Sequence, residues 1–296
     1  MNSGFRGALE GDWTKVKALG LAVALQLVLL PVIFAMGLAR PAHLPLMPLA
    51  AVAGGVLFGL SMRWAGGCAA GVWYKLGAGD VGALLAILGM ALGATASDSG
   101  PLSGVRTLLQ GTIAPAATWS ASAPVSVGAG ILLLAFSARW TVTRAGAWTW
   151  RRTGLWVGVT AALAWPVSAA AGRDFGLAVV PGTTGLLSGV GGHPLPAWDG
   201  LLVLGILSGG WLGARRNGPV VLGAPTPALL LKRFAGGLGL GIGASIAAGC
   251  TVGQGLTGLP LLAPSSFFVM GSIFAGSALA TLAARHLEKA PVPTLP

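Results

Sequence analysis

The sequence predicts an all-α integral membrane protein, with about eight transmembrane helices plus short re-entrant half-helices, in two inverted repeats. Three observations lead there. Of 296 residues, 54% are hydrophobic and only 8% charged, at a mean hydropathy of +0.81; soluble domains carry about a quarter charged residues. The apolar residues gather in runs close to the ~20 residues that cross a hydrocarbon core as a helix. Two glycine-rich segments, each ending in a cysteine, align with one another.

In chain order the apolar runs fall at 17–38, 46–63, 80–96, 125–142, 153–171, 198–213, 234–249 and 264–284. Lipid cannot satisfy open backbone groups, so such runs are helical. The alternating ten-residue strands of an outer-membrane barrel are missing. The first run is longer than a signal-peptide core, so it is expected to remain as a membrane pass. Residues 173–197 are apolar but broken by glycine and proline, and read as a loop or a shallow re-entrant piece. The chain is expected to be one polytopic domain, with repeat one at about 40–142 and repeat two at about 153–285.

The formal charge of +11 would suggest a nucleic-acid partner in a soluble protein. Here the basic residues flank the apolar runs, so no nucleic acid is expected and membrane topology explains them. With the N-terminus inside, Arg40, Arg106 and Arg173 lie outside and the other fifteen of the 18 basic residues inside. That split places both termini in the cytoplasm. Several of the eleven tryptophans, among them Trp13, Trp140, Trp148, Trp150 and Trp198, lie near run ends and fit interfacial anchoring to membrane lipid.

Shifting residues 53–71 by 182 onto 235–253 gives eight identities in nineteen positions, including Gly54/Gly236, Gly55/Gly237, Gly59/Gly241, Gly67/Gly249, Cys68/Cys250 and Gly71/Gly253. Composition alone would give roughly two, so an internal duplication is expected. The second pass runs inward and the seventh outward, so the copies are inverted, an architecture common among secondary transporters.

The chemistry is expected where each glycine stripe stops. "AGGCAAG" and "AAGCTVGQG" interrupt a helix and restart it near the cysteine. A restarting helix presents free N–H groups and partial positive charge, which suit an anion. The expected binding and transport residues are Cys68, Cys250, Gly67, Gly249, Thr251, Gly71, Gly253 and Gln254. Arg106 and Arg173 are candidates for an outer capture vestibule, and Lys75 and Asp80 for simple pairing. His193 and Asp199 are expected to be solvated. The two cysteines have neither disulfide-framework nor metal spacing, and no catalytic set of paired carboxylates or Ser/His/Asp is present. No metal, no cofactor and no enzyme activity are expected.

At these residues the chain resembles the YeeE/YedE family of membrane proteins, associated with sulfur transport and including thiosulfate uptake transporters. The similarity rests on "GGCAAG", on "AAGCTVGQGLTG" and on "GRDFGLAVVPGTTGLL" at 172–187. The resemblance implies a bacterial inner-membrane protein in which thiosulfate passes a narrow constriction lined by thiols, with helix N-termini facing the anion. Cys68 and Cys250 are the positions that match. Family thiosulfate transporters carry a third functional cysteine, and this chain has no residue for that role, which leaves thiosulfate, another sulfur oxyanion, or a reduced sulfur or selenium species open. The alternative is a membrane thiol protein relaying sulfane sulfur to a cytoplasmic sulfur-carrier protein. Soft-metal transport lacks nearby Met or His ligands.

Overall fold

The computed structural model describes residues 2–111, 122–145, 148–190, 197–216, 223 and 225–289. Twelve α-helices carry the described chain; its β-pairing is a two-residue antiparallel ladder, Arg144 opposite Thr149 and Ala145 opposite Trp148, and an isolated parallel bridge between Asp80 and Gly223. The all-α membrane class holds. Among the described residues, five helices are long and apolar enough to cross a membrane, or six with one bent pair counted as a span. Each of the eight expected runs lies on a helix, but length and composition qualify fewer than eight as spans. One of the shorter helices, α7 (Ala123–Ala138), has 16 residues and reaches only about 24 Å.

The centre is a pair of antiparallel helices, α3 (Pro48–Ala65) and α11 (Pro227–Ile246). Each starts with proline in its first turn, where the missing N–H costs nothing. Glycines let their backbones touch. A Cβ on Gly54 would lie 2.5 Å from the Ala247 nitrogen, and one on Gly236 would lie 2.1 Å from the Ala65 nitrogen. The two contacts join the same pair of aligned positions with the helices exchanged. The next glycines face outward to different partners. Gly55 and Gly59 press on α12 (Pro264–Lys289) at Ser272 and Ile273, while Gly237 and Gly241 press on α5 (Gly82–Asp98) at Ala86 and Met90. Lipid is as apolar as leucine, so this close backbone contact, not hydrophobic burial, holds the helices together.

Around this core, α2 (Thr14–Ala35) packs against α7 and α8 (Trp150–Ala170). On the other side α10 (Ala197–Arg216) packs against α4 (Ala69–Gly77) and α9 (Val179–Val190). Pro31 in α2 and Pro166 in α8 sit inside their helices, which neighbouring helices make tolerable in a membrane. Helix α5 bends by 67° into α6 (Ser103–Gln110). The N-terminal α1 (Asn2–Leu9) lies against α2 and α12, with Phe5 edge-on to Phe274 and Glu10 paired to Arg285 at 2.7 Å. Asp12 accepts the Thr14 N–H at the start of α2, and its bonds from Thr14 hold the carboxyl below its ordinary range.

Several readings shift. Within 173–197, residues 179–190 form α9, with Pro181 in its first turn, where proline is permitted. His193 lies outside the described residues. Asp199 is buried rather than solvated and pairs with Arg173. Of the tryptophans expected at the interface, Trp13 and Trp148 are exposed, whereas Trp150 is fully buried and donates to the Thr141 carbonyl.

Candidate functional site

Both cysteines stand at a helix break of the same design. Helix α3 stops at Gly66, whose φ of 81° ends it in a left-handed turn. Cys68 then has extended backbone, and α4 starts at Ala69. Helix α11 stops at Ala247; Ala248 (φ 52°) and Gly249 (φ 157°) turn the chain, and a new helix starts at Thr251. It winds on as a π-helical turn, Gly253–Gly258, and a tight turn, Leu259–Leu261. The Cys68 carbonyl accepts from Val72 N–H at 3.0 Å and the Cys250 carbonyl from Gln254 N–H at 2.9 Å. Each cysteine is therefore the N-cap residue of a short helix.

A break inside a membrane leaves carbonyls without partners, at several kcal/mol each in hydrocarbon. Here they are capped. At the end of α3, Lys75 Nζ donates to the Gly66 carbonyl at 2.6 Å and Arg233 Nη1 to the Ala65 carbonyl at 3.1 Å. Arg233 is in turn paired to Asp80 at 3.1 Å. At the end of α11, Gln110 Nε2 donates to the Ser245 and Ile246 carbonyls at 3.0 and 2.9 Å. Gln254 Nε2 donates to the Ala248 carbonyl at 3.0 Å, and its Oε1 accepts from Ser266 at 2.6 Å. Lys75 and Asp80 thus brace the first break. Gln254 braces the second, with its amide engaged on both sides.

The two thiols are buried, 3% and 2% exposed, in one apolar cluster, and neither is in a disulfide. The backbone N–H groups of Val252, Gly253 and, at the start of α9, Val179 lie near the Cys250 sulfur. The Gly71 N–H and the Thr251 side chain lie near the Cys68 sulfur. Thr251 is buried, and its hydroxyl oxygen has no hydrogen-bond partner among the described residues. Of the other expected site residues, Gly71 leaves a side chain 3.5 Å from the Cys68 sulfur, and Gly67 packs on the backbone of Gly71 and Val72. Gly249 fits against Gln254, and Gly253 faces the cavity described next.

A cavity of about 300 Å³ opens on the face where α11 ends. Cys250, Gly249 and Gly253 form part of its wall, and Arg106 and Arg173 stand in it together with Asp98. Arg106 lies 3.5 Å from Asp98, whose carboxylate also takes the Ser245 hydroxyl. Cys68 does not line this cavity.

Helix α9 was not foreseen as part of the site. Thr257 clamps its approach, accepting from the Leu177 N–H at 2.9 Å and donating to the Leu177 carbonyl at 3.0 Å. Trp73 donates to Thr183 at 2.9 Å and ties α9 to α4. The signal was the stretch at 172–187, which carried the resemblance without showing a helical period. Among the described residues no three His, Cys, Asp or Glu side chains gather as a metal site would need.

A family described as "Sulphur transport" matches residues 1–279. This chain belongs to that sulphur transport family. A relative from Spirochaeta thermophila, named thiosulfate transporter TsuA, is 32% identical over 297 residues, covering 92% of this chain and 90% of the relative. An Escherichia coli protein of the same name is 30% identical over 242 residues, covering 70% of this chain and 66% of its own length. Membership of the sulphur transport family thus extends far past the two cysteine motifs, and it agrees with a multi-pass membrane protein.

Proposed function

We propose that this protein carries a small sulfur-containing anion, most simply thiosulfate, across the membrane through a constriction formed by Cys68 and Cys250. The observation that carries the reading is the pair of thiols at equivalent helix starts within one buried cluster. The names of the two relatives agree with the substrate class. In this reading the cavity face is external, as the distribution of basic residues suggests, and the two breaks belong to inverted repeats. The reciprocal Gly54–Ala247 and Gly236–Ala65 contacts support that symmetry.

An anion entering the cavity meets Arg106 and Arg173, which draw it in. Both already have carboxylate partners, so an anion must compete for them and is not trapped. Deeper, it leaves fixed cations behind and meets neutral donors: N–H groups at the starts of α9 and of the helix at Thr251, then the Cys250 thiol. Such donors hold an anion without a counter-charge, so release stays fast. A thiol is also soft and polarisable, which suits a sulfur-bearing anion. Thr251 and Cys68 continue the path toward the opposite face. The relay alternative needs a carrier protein to reach Cys68, and that residue is buried with Phe5 in its cluster.

The test is uptake of labelled thiosulfate into proteoliposomes holding wild type, Cys68→Ala, Cys250→Ala or both. Wild type takes up the label, each single variant loses most of it, and the double variant takes up none above empty vesicles. Full uptake by the double variant would remove the thiols from the mechanism. Wild-type uptake of a different oxyanion in place of thiosulfate would keep the route and change the substrate.

A further inference from the structure

The buried polar side chains around the second break are engaged, with one exception. Gln254 donates to the Ala248 carbonyl and accepts from Ser266. Thr257 is bonded to Leu177 through both its donor and its acceptor. Ser265 donates to the Leu44 carbonyl at 3.2 Å. The exception is Thr251, which is 1% exposed and whose hydroxyl oxygen has no hydrogen-bond partner among the described residues. Other helical threonines donate to the carbonyl four residues back, as Thr183 does to Val179 at 2.9 Å and Thr281 to Ser277 at 2.8 Å. Thr251 is the first residue of a restarted helix, so the residue four back, Ala247, lies across the turn at Ala248 and Gly249.

A buried hydroxyl left unpaired costs stability, and packing does not demand it here. The aligned residue after Cys68 is Ala69, fully buried with no polar side chain. The place of Thr251 suggests a use. It follows Cys250, which lines the cavity with Gly253, and its side chain lies near the Cys68 sulfur. We propose that the Thr251 hydroxyl sets specificity along the path, donating to an oxygen of the passing anion while the thiols of Cys250 and Cys68 meet its sulfur, so that sulfur oxyanions are selected over oxygen-free sulfur anions. The proposal rests on the transport reading above and narrows the substrate class. An alcohol O–H is a compact donor that suits an oxyanion oxygen, whereas a thiol is a weaker donor and more polarisable. Hydrosulfide brings no oxygen and leaves the hydroxyl unpaired. Discrimination against a ligand that strands a buried polar group is the strong kind.

The test is equilibrium binding in detergent and proteoliposome uptake of labelled thiosulfate by wild type, Thr251→Val and Thr251→Ser, with hydrosulfide as competitor in the binding assay. Valine keeps the shape and loses the hydroxyl; serine keeps the hydroxyl. Thr251→Val binds thiosulfate roughly tenfold or more weakly, the size of a bond to a charged group, and Thr251→Ser stays within roughly threefold of wild type. Hydrosulfide has an equally weak inhibition constant on wild type and on Thr251→Val. Because valine also removes an unpaired buried group, the thermal midpoint of Thr251→Val without thiosulfate equals or exceeds that of wild type. A merely structural role would lower midpoint and binding together. Wild-type binding and uptake by Thr251→Val, serine as poor as valine, a lowered midpoint in Thr251→Val, or hydrosulfide binding wild type as tightly as thiosulfate would each overturn the proposal and leave the transport reading standing. Wild type that neither binds nor takes up thiosulfate would remove both.

Discussion

Cys68 and Cys250 occupy equivalent positions, yet they differ in reach. Cys250 is part of the cavity wall and Cys68 is not, although both are almost fully buried. A small charged thiol reagent added from the cavity side should therefore modify Cys250 first. The expectation is a rate ratio of at least roughly tenfold, since reaction follows access to the thiol. Arg106 and Arg173 flank the approach, so an anionic methanethiosulfonate should outpace a cationic one of similar size. Mass spectrometry of oriented vesicles over time reads both, and faster labelling of Cys68, or preference for the cation, would contradict the route. Thr251 was legible in the sequence as an expected site residue, but not that its side chain lies near the other motif's thiol. Nothing local in "AAGCTVGQG" says which sulfur it lies beside, because that depends on how two segments 182 residues apart come together.

The breaks themselves were legible because they are written locally. Gly66 and Gly249 permit the turn, and the cysteines follow within two residues. What braces the breaks was not legible. Lys75, Gln110, Arg233 and Gln254 bond carbonyls that exist only because a helix stopped elsewhere in the chain. Helix α9 was hidden for another reason: its glycines and Pro181 read as breakers, although proline in a first turn breaks nothing. Asp199 was misread because its partner, Arg173, lies 26 residues away. The bracing role of Gln254 is open to measurement. Gln254→Met leaves the Ala248 carbonyl and the Ser266 hydroxyl without their partner, at about 1–3 kcal/mol for each buried polar group so stranded. Ser266→Ala removes one bond and should cost less. Because the two side chains share that bond, the double variant should fall short of the sum of the singles. Thermal unfolding in detergent checks the order. A milder effect for Gln254→Met than for Ser266→Ala would show that the amide does not hold the break.

At the scale of the whole molecule, the central seam is held by backbone contact, and both sides of it need glycine. Gly54 sits on Ala247 and Gly236 on Ala65, so a methyl group at either position wedges the same pair of helices apart. A methyl on Gly54 would lie 2.7 Å from the Gly243 carbonyl as well, and one on Gly236 would lie 2.5 Å from the carbonyl carbon of Trp64. Neither neighbour is a flexible side chain that can swing away; both are helix backbone. Relief must come from moving α3 relative to α11, which also disturbs the Arg233–Ala65 bond and the break it caps. Gly54→Ala and Gly236→Ala should therefore lower the thermal midpoint by comparable amounts, on the order of the 1–3 kcal/mol cost of overpacking. They should also slow uptake in the folded fraction, because the strain is delivered to both thiol-bearing breaks. Gly205 on α10 meets no described residue within 4 Å, so Gly205→Ala should be neutral or stabilising by up to about 1 kcal/mol, the ordinary helix preference for alanine. Melting curves of the three single variants decide the matter. If Gly205→Ala were as costly as the other two, the loss would reflect any change in a membrane helix, and the seam would lose its special role. If Gly54→Ala were costly and Gly236→Ala harmless, the two halves would not share one interface on equal terms, and the symmetric account of the transport path would fail with it.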